Sequence, residues 1–395
     1  MAPARSTGTP RSSPRYRAAA VCTPGLEAVC GAELRALGCR PRTAGAGVVE
    51  FEANARQLYA ANVWLRTVSR VVVRLTTFRA TDFVHLQDHA SNIDWDRWIP
   101  AGHAPRFRIS TSDSKLYHTK AIAQRLHQVS RPPSIGEPEQ LIVVRIVRNN
   151  VTVSVDSSGE ALHRRPWRTD TGPAPLRPTM AAAVLLAVRW ETTTGLVDPF
   201  GGSGTIGIEA ALLARGLPPG GEREFAFHRW GHFEPGSWAS VVASIEASVD
   251  EAASRGGPGP ILVADRDPAA IDMARANAQR AGVTDDIELA VQVVSHLKAR
   301  SGPGLVATNP PYGKRIGRTE LAGLYGRLGA VVRERLPGYG LALITAEPAL
   351  ARVADRRLKS LYRFRHGGLA VQLHHRPPEP EEEPRDRPAR AGSSS

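Results

Sequence analysis

The chain has 395 residues, Lys+Arg of 51 against Asp+Glu of 38, and a formal net charge of +13. No run of about 18 apolar residues occurs, which argues against a transmembrane helix, and the start Met1 to Arg17 lacks the apolar core of a secretory signal. The three cysteines, Cys22, Cys30 and Cys39, are odd in number and lack metal-ligand spacing; they read as reduced thiols in a cytoplasmic, metal-free protein, Cys30 as a core residue.

In chain order, residues 1–17 form a Pro-, Ser- and Arg-rich tail too polar to pack. Residues 18–54 suggest strand, helix, strand: Ala19-Ala20-Val21, a helix from Gly25 to Leu37, then Gly47 to Phe51. Residues 55–156 form a second unit. Its expected elements are a helix over Arg56 to Trp64, a strand over Ser69 to Leu75, a helix over Lys120 to Val129, and the strands Leu141 to Val147 and Val151 to Val155. A loop covers Arg131 to Glu139, and Arg148-Asn149-Asn150 is a hairpin turn.

Excluding both tails leaves +10 for the body. A basic body suits a polyanion, although a basic surface often serves solubility alone. Two knots sharpen the reading. Arg106, Arg108, Lys115, Lys120, Arg125 and Arg131 are opposed only by Asp113 and interleave with Tyr117, His118 and His127; Lys115, Lys120 and Arg125 are its chosen RNA contacts. Arg164, Arg165 and Arg168, beside His163 and Trp167, form the second. Aromatics among cations fit RNA stacking and phosphate contacts, while a solvated charged face is the bland alternative.

Residues 157–375 form the last folded unit. A helix is expected over Ala181 to Trp190. Gly195-Leu196-Val197-Asp198 then reads as a buried parallel strand ending in an acid. The run DPFGGSGTIGIEA, Asp198 to Ala210, adds a turn of Gly201, Gly202 and Gly204 that a cofactor can approach closely, and a helix from Thr205 to Arg215 with Gly216 at its end. Gly202, Gly204 and Gly207 also satisfy G-x-G-x-x-G, a weak dinucleotide signal; no Lys-Ser/Thr pair supports a P-loop, and an unliganded tight turn is the remaining reading.

A second strand, Ile261 to Ala264, ends at Asp265, placed to accept both ribose hydroxyls of an adenosine cofactor. Asp267 before Pro268 reads as the N-cap of the following helix. A further strand, Leu305 to Thr308, runs into Asn309-Pro310-Pro311-Tyr312. The prolines stiffen the backbone. The Asn309 side-chain oxygen and the Pro310 carbonyl can accept both protons of an exocyclic amine, and Tyr312 offers a ring on which a flipped base stacks. Gly340 to Ala346 is a fifth strand. Leu358 to Phe364 and Leu369 to Leu373, joined around Gly367-Gly368, look like a closing antiparallel hairpin, and residues 376–395 are a second polar tail.

These motifs resemble class I S-adenosylmethionine-dependent methyltransferases acting on amino groups. VDSSGEALHRRPWR (155–168), APLRPTMAAAVLLAVRW (174–190), FAFHRW (225–230), TPGLEAVCGAELRALG, NVWLRTVSRVVVRL and SKLYHTKAIAQRL resemble bacterial THUMP-domain RNA guanine-N2 methyltransferases. The resemblance covers roughly residues 18–373. It implies an α/β protein with a ferredoxin-like segment, a THUMP RNA-binding domain at 55–156 and a Rossmann-like catalytic domain. It implies Asn309, Pro310, Pro311 and Tyr312 at the amine, and Asp198, Phe200, Gly202, Gly204, Thr205 and Asp265 at S-adenosylmethionine.

Two positions depart from the family. Gly201 stands where the family has Cys. Val293, in Val291-Gln292-Val293-Val294-Ser295-His296-Leu297, stands where the family has an Asp that contacts the adenine amine. The reading is a cytoplasmic, monomeric enzyme with one methyltransferase activity, acting on guanine N2 of large-subunit ribosomal RNA. The alternatives are tRNA as substrate, adenine-N6 methylation of DNA, an RNA-binding protein without strong catalysis, and an NAD dehydrogenase, which would leave the NPPY loop without a role.

Overall fold

The computed structural model describes residues 15–131, 138–170, 176–312, 317–366 and 368–378. The two tails lie almost wholly outside these residues, as do most of the Arg131–Glu139 loop and Gly367.

The first elements are β1 (Tyr16–Cys22), α1 (Glu27–Ala36), β2 (Arg42–Gly45), β3 (Val48–Ala53), α2 (Ala55–Trp64) and β4 (Val68–Arg79). This β-α-β-β-α-β order, with strands arranged β2-β3-β1-β4, is the ferredoxin-like arrangement. Asn54 starts α2 by accepting from the Gln57 N–H at 2.9 Å while the Gln57 side chain accepts from the Asn54 N–H at 3.2 Å. The expected boundary after Asn54 therefore cuts this unit in two, because α2 and β4 complete it.

The chain continues through α3 (Phe83–Ser91), α4 (Trp95–Trp98), β5 (Ala104–Ser112), α5 (Thr119–Val129), β6 (Glu139–Val147) and β7 (Asn150–Asp156). β4 pairs with β1 on one edge and β7 on the other, so one seven-stranded sheet, β2-β3-β1-β4-β7-β6-β5, spans both segments. The β6–β7 turn places Arg148 and Asn149 at φ 50 and 63, the left-handed pair that a two-residue hairpin requires.

The remainder forms α6 (Pro178–Ala187), β8 (Gly195–Asp198), α7 (Thr205–Ala214), α8 (Pro235–Ser254), β9 (Ile261–Asp265), α9 (Pro268–Arg280), β10 (Ile287–Val291), β11 (Gly304–Thr308), α10 (Arg318–Arg335), β12 (Tyr339–Thr345), α11 (Pro348–Ala354), β13 (Lys359–His366) and β14 (Leu369–Arg376). The sheet order is β10-β9-β8-β11-β12-β14-β13, with parallel pairing from β10 to β12 and an antiparallel closing hairpin. This is a Rossmann-like doubly wound sheet.

Three boundaries differ from expectation. Tyr16 and Arg17 belong to β1 rather than the first tail. Arg376 ends β14, buried, and donates to the Tyr339 carbonyl at 2.9 Å, so it is not tail either. Nor do the cores divide at one point in the chain. Phe225, Phe227, Trp230 and Val241 pack into the N-terminal core, Phe227 stacking on Tyr59 at 4.3 Å, whereas Leu26 packs into the catalytic core. All three cysteines are buried and free. No helix among the described residues is long and apolar enough to cross a membrane.

Candidate active site

The parallel strands β8, β9, β10 and β11 end together, and the crevice beyond their carboxyl ends is where such sheets bind ligands. The glycine turn lies flat on β9. The Gly201 N–H donates to the Ala264 carbonyl at 2.9 Å, and a Cβ on Gly201 would stand 2.3 Å from Val263 Cγ1. A Cβ on Gly207 would meet Val263 Cγ2 at 2.3 Å. A cysteine at 201 thus has no room beside Val263, which accounts for that departure. Gly202 and Gly204 take φ of 52 and 79, and a Cβ on Gly202 would meet nothing within 4 Å. The turn is therefore open on the Gly202 side, where a cofactor can approach the backbone. Thr205 begins α7 and is buried; Phe200 is half-buried against β11's core cluster.

Asp265 lies half-buried at the tip of β9. Its carboxylate accepts from the Gly202 N–H at 2.9 Å and the Asp267 N–H at 3.0 Å, clamping the turn. Each oxygen keeps a further lone pair for a ribose hydroxyl. Asp267 caps α9 by accepting from the Ala269 N–H at 3.0 Å, with Pro268 as first helical residue. Val291 pairs with Asp265 in register, and Val291 and Val293 are 54% and 40% exposed. The position where a carboxylate was expected thus belongs to an apolar rim beside Asp265.

Asp198 is buried at the end of β8. Its Oδ1 accepts from the Thr308 hydroxyl at 2.7 Å and the Phe200 N–H at 3.2 Å. Burial pushes its carboxyl up to about 7, opposed by these hydrogen bonds and reinforced by the Asp265 charge.

Thr308 leads directly into Asn309. The Asn309 side-chain oxygen is buried and has no hydrogen-bond partner among the described residues. Pro310 is buried and Pro311 exposed. Tyr325, buried on α10, donates to the Pro311 carbonyl at 3.4 Å and lies 3.4 Å from the Thr345 hydroxyl. Tyr312 is half-buried against the catalytic core, and burial holds its phenol up to about 12, hence protonated. Thr308 and Tyr325 brace the loop, and the sequence reading named neither for this role. Thr308 immediately precedes Asn309 and could have been noticed; nothing near Tyr325 signals its reach.

Lys115, Lys120 and Arg125 are exposed, and the Arg125 guanidinium lies 5.6 Å from the Phe83 ring centre. The Lys115 backbone is tied to the β6–β7 hairpin, its N–H donating to Asn149 Oδ1 at 2.8 Å. The second knot does not hold together as one basic face. Arg164 is exposed and pairs with Glu160 at 3.6 Å. Arg165 is buried: it donates to Glu209 on α7 at 2.9 Å, to the Leu162 carbonyl at 2.7 Å and to the Arg66 carbonyl at 2.8 Å. With those contacts made, and no solvent access, Arg165 is a structural cross-link and not a phosphate contact. Arg168 is half-buried and donates to the Leu176 carbonyl at 2.8 Å.

The family model for the RMKL-like methyltransferase domain matches residues 165–372, and that for the RlmL ferredoxin-like domain matches residues 17–72. The chain belongs to the RMKL-like methyltransferase family. Ribosomal RNA large subunit methyltransferase K/L of Methylococcus capsulatus is 32% identical over 88% of this chain and 49% of that protein. The chain thus spans about half the length of such K/L relatives. The Bacillus subtilis protein named "Putative RNA methyltransferase YpsC" is 31% identical over 87% of this chain and 92% of its own length. Among solved structures, SMU.472, described as "a putative methyltransferase complexed with SAH", aligns with TM-score 0.80 and 26% identity, covering 94% of this chain and 100% of that one. A predicted N6-adenine-specific DNA methylase from Listeria monocytogenes aligns with TM-score 0.78 and 28% identity, covering 92% and 96%. The match to residues 17–72 also carries the ferredoxin-like unit past Asn54, in agreement with the sheet.

Proposed function

We propose that this RMKL-family chain transfers a methyl group from S-adenosylmethionine to the exocyclic N2 of a guanine in large-subunit ribosomal RNA. The observation that carries the reading is the buried Asn309 oxygen at the end of β11, which has no partner among the described residues. Leaving such an acceptor unmade costs about 1–3 kcal/mol, and an amino proton of a substrate base would satisfy it. The chemistry needs little more. Guanine N2 is a weak nucleophile because its lone pair is delocalised into the ring. Holding it in line with a reactive sulfonium methyl, and accepting hydrogen bonds as positive charge grows on nitrogen, supplies the catalysis.

S-adenosylmethionine would sit on the open side of the Gly202 turn. Asp265 would take the ribose hydroxyls, Val291 and Val293 would pack against the adenine, and Asp198 would face the cationic end. Residues 80–156 would act as the THUMP part of the RNA-binding half. This substrate places the reaction in the cytoplasm, and a single chain would contain the complete site. The K/L relatives, named for large-subunit ribosomal RNA, support that substrate over tRNA, and YpsC, named for RNA, supports RNA over DNA. The Listeria relative named for N6-adenine DNA methylation keeps a second reading open, because an amine clamp of this kind also fits adenine N6. Mapping N2-methylguanosine and N6-methyladenosine in RNA, and N6-methyladenine in DNA, from a deletion strain separates them. Loss of one N2-methylguanosine in large-subunit RNA supports the proposal; loss of an N6-methyladenine instead refutes it.

A further inference from the structure

The seven-stranded N-terminal sheet is covered by helices on one face only. Ala18, Ala20, Val71, Val73, Val144 and Val153 point into the helical core, so the alternate positions of the same strands point to the other face. Those positions carry arginines around a small apolar patch of Ala19, Val48 and Val72, against which Val143 packs. Ala18 pairs with Val73, which sets Arg17 beside Arg74. Arg74 pairs with Ser154, Ser154 with Val143, and Val143 with Arg108, so the row crosses from β1 to the edge strand β5. Arg145, opposite Thr152, extends it by one step.

At the β1–β3 end of this row an open basin of about 720 Å³ is lined by five arginines, Arg15, Arg17, Arg40, Arg42 and Arg74, and reaches round the sheet's end to Gly38 and to Gln57 on α2. Its two acids do not neutralise it. Glu50 pairs with both Arg42 at 2.6 Å and Arg74 at 3.4 Å, and Glu52 pairs with Arg15 at 3.4 Å. Arg17, Arg40, Arg108 and Arg145 are exposed and have no carboxylate partner among the described residues. Burial and the neighbouring Arg17 and Arg145 charges lower the pKa of Arg74.

We infer that this helix-free sheet face binds the phosphodiester backbone of the substrate RNA, with the basin as its deepest contact. Like charges held this close on rigid strands repel one another, and a polyanion relieves the repulsion. A small anion would be served by the basin alone. The continuation of unpaired arginines along the row to Arg108 favours a long anionic strand. This surface is distinct from the patch of Lys115, Lys120 and Arg125 and from the Arg164–Arg168 segment between β7 and α6.

The inference rests on RNA being the substrate, but its test uses neither cofactor nor turnover, so failure of the guanine-N2 assignment leaves the outcome readable. The probe is a mixed-sequence hairpin RNA, its binding to the full chain followed by anisotropy across a salt series. Each lost phosphate contact lowers the log–log salt slope by about one, so Arg17→Gln/Arg40→Gln should lower it by about two and weaken binding at low salt at least tenfold. Arg108→Gln/Arg145→Gln should act in the same direction. Both pairs are exposed, and an unchanged melting temperature confirms folding. Unchanged slope and affinity in both double variants would overturn the inference. So would competition of ADP for the wild-type basin at concentrations far below those at which it competes elsewhere on the chain, since that marks a small-ligand site.

Discussion

Thr308 donates its hydroxyl to Asp198 at 2.7 Å, joining the acid that closes β8 to the residue that precedes the NPPY loop. The contact is buried on both sides. It couples the end of β8 to the end of β11, so a displacement of Asp198 is passed to the residue next to Asn309.

Asp198 gives the site a pH dependence. With its carboxyl near 7, the unliganded protein carries a proton there that an unfolded chain would have released. Stability from this group is therefore lost as pH rises from the ordinary carboxylate range through 7. A cationic donor prefers the carboxylate, so binding should release a proton. Affinity for S-adenosylmethionine should fall about tenfold between roughly pH 8 and pH 6. Calorimetry in buffers of different ionisation enthalpy measures both effects. Asp198→Asn should abolish the dependence, and a pH-independent wild-type affinity would remove Asp198 from the cofactor site.

Asp265 has two jobs, because it clamps the Gly202 and Asp267 N–H groups as well as facing the crevice. Hydrogen bonds to charged groups contribute about 1.5–3 kcal/mol each. Asp265→Ala should weaken S-adenosylhomocysteine binding by roughly one to two powers of ten and also lower the melting temperature. Wild-type affinity in the folded variant would show that the carboxylate serves the turn alone.

Arg165 should behave as a buried ion-pair partner. With Glu209 contacted by Arg165 at 2.9 Å and Arg66 at 3.6 Å, the three side chains join the N-terminal half, the segment between β7 and α6, and α7. Removing Arg165 takes away the nearer partner of Glu209 and two further buried hydrogen bonds, leaving Arg66 at 3.6 Å as its remaining ion pair, at a cost on the order of 3 kcal/mol. Arg165→Ala should thus cause a large loss of denaturation midpoint, while Arg164→Ala should leave stability unchanged. RNA binding by Arg164→Ala should show a slightly flatter salt dependence. A stable Arg165→Ala protein would contradict the cross-link.

Elements whose chemistry repeats locally were legible in the sequence. The glycine turn, Asp265 and the NPPY loop lie at strand ends because short apolar runs announced the strands. The edge strand β5 was overlooked because Arg106 and Arg108 were read as a basic cluster, although they alternate with Phe107 and Ile109 in the period of a strand. Arg164 and Arg165 are neighbours of one type, yet one is exposed and the other buried. That difference depends on Glu209, 44 positions away, and no local pattern encodes it. The boundary at Asn54 failed for a related reason: β4 serves two neighbours, and a shared strand has no composition shift to mark it.

The most direct test of the account is single-turnover tritium transfer from S-adenosylmethionine to unmodified large-subunit RNA, with nucleoside analysis of the product, for wild type and Asn309→Ala. The account predicts N2-methylguanosine as the product. For Asn309→Ala it predicts a rate lower by roughly two to three powers of ten, because positioning and charge stabilisation are lost together, with cofactor affinity nearly unchanged. A wild-type rate in Asn309→Ala, or label in any other nucleoside, would contradict it.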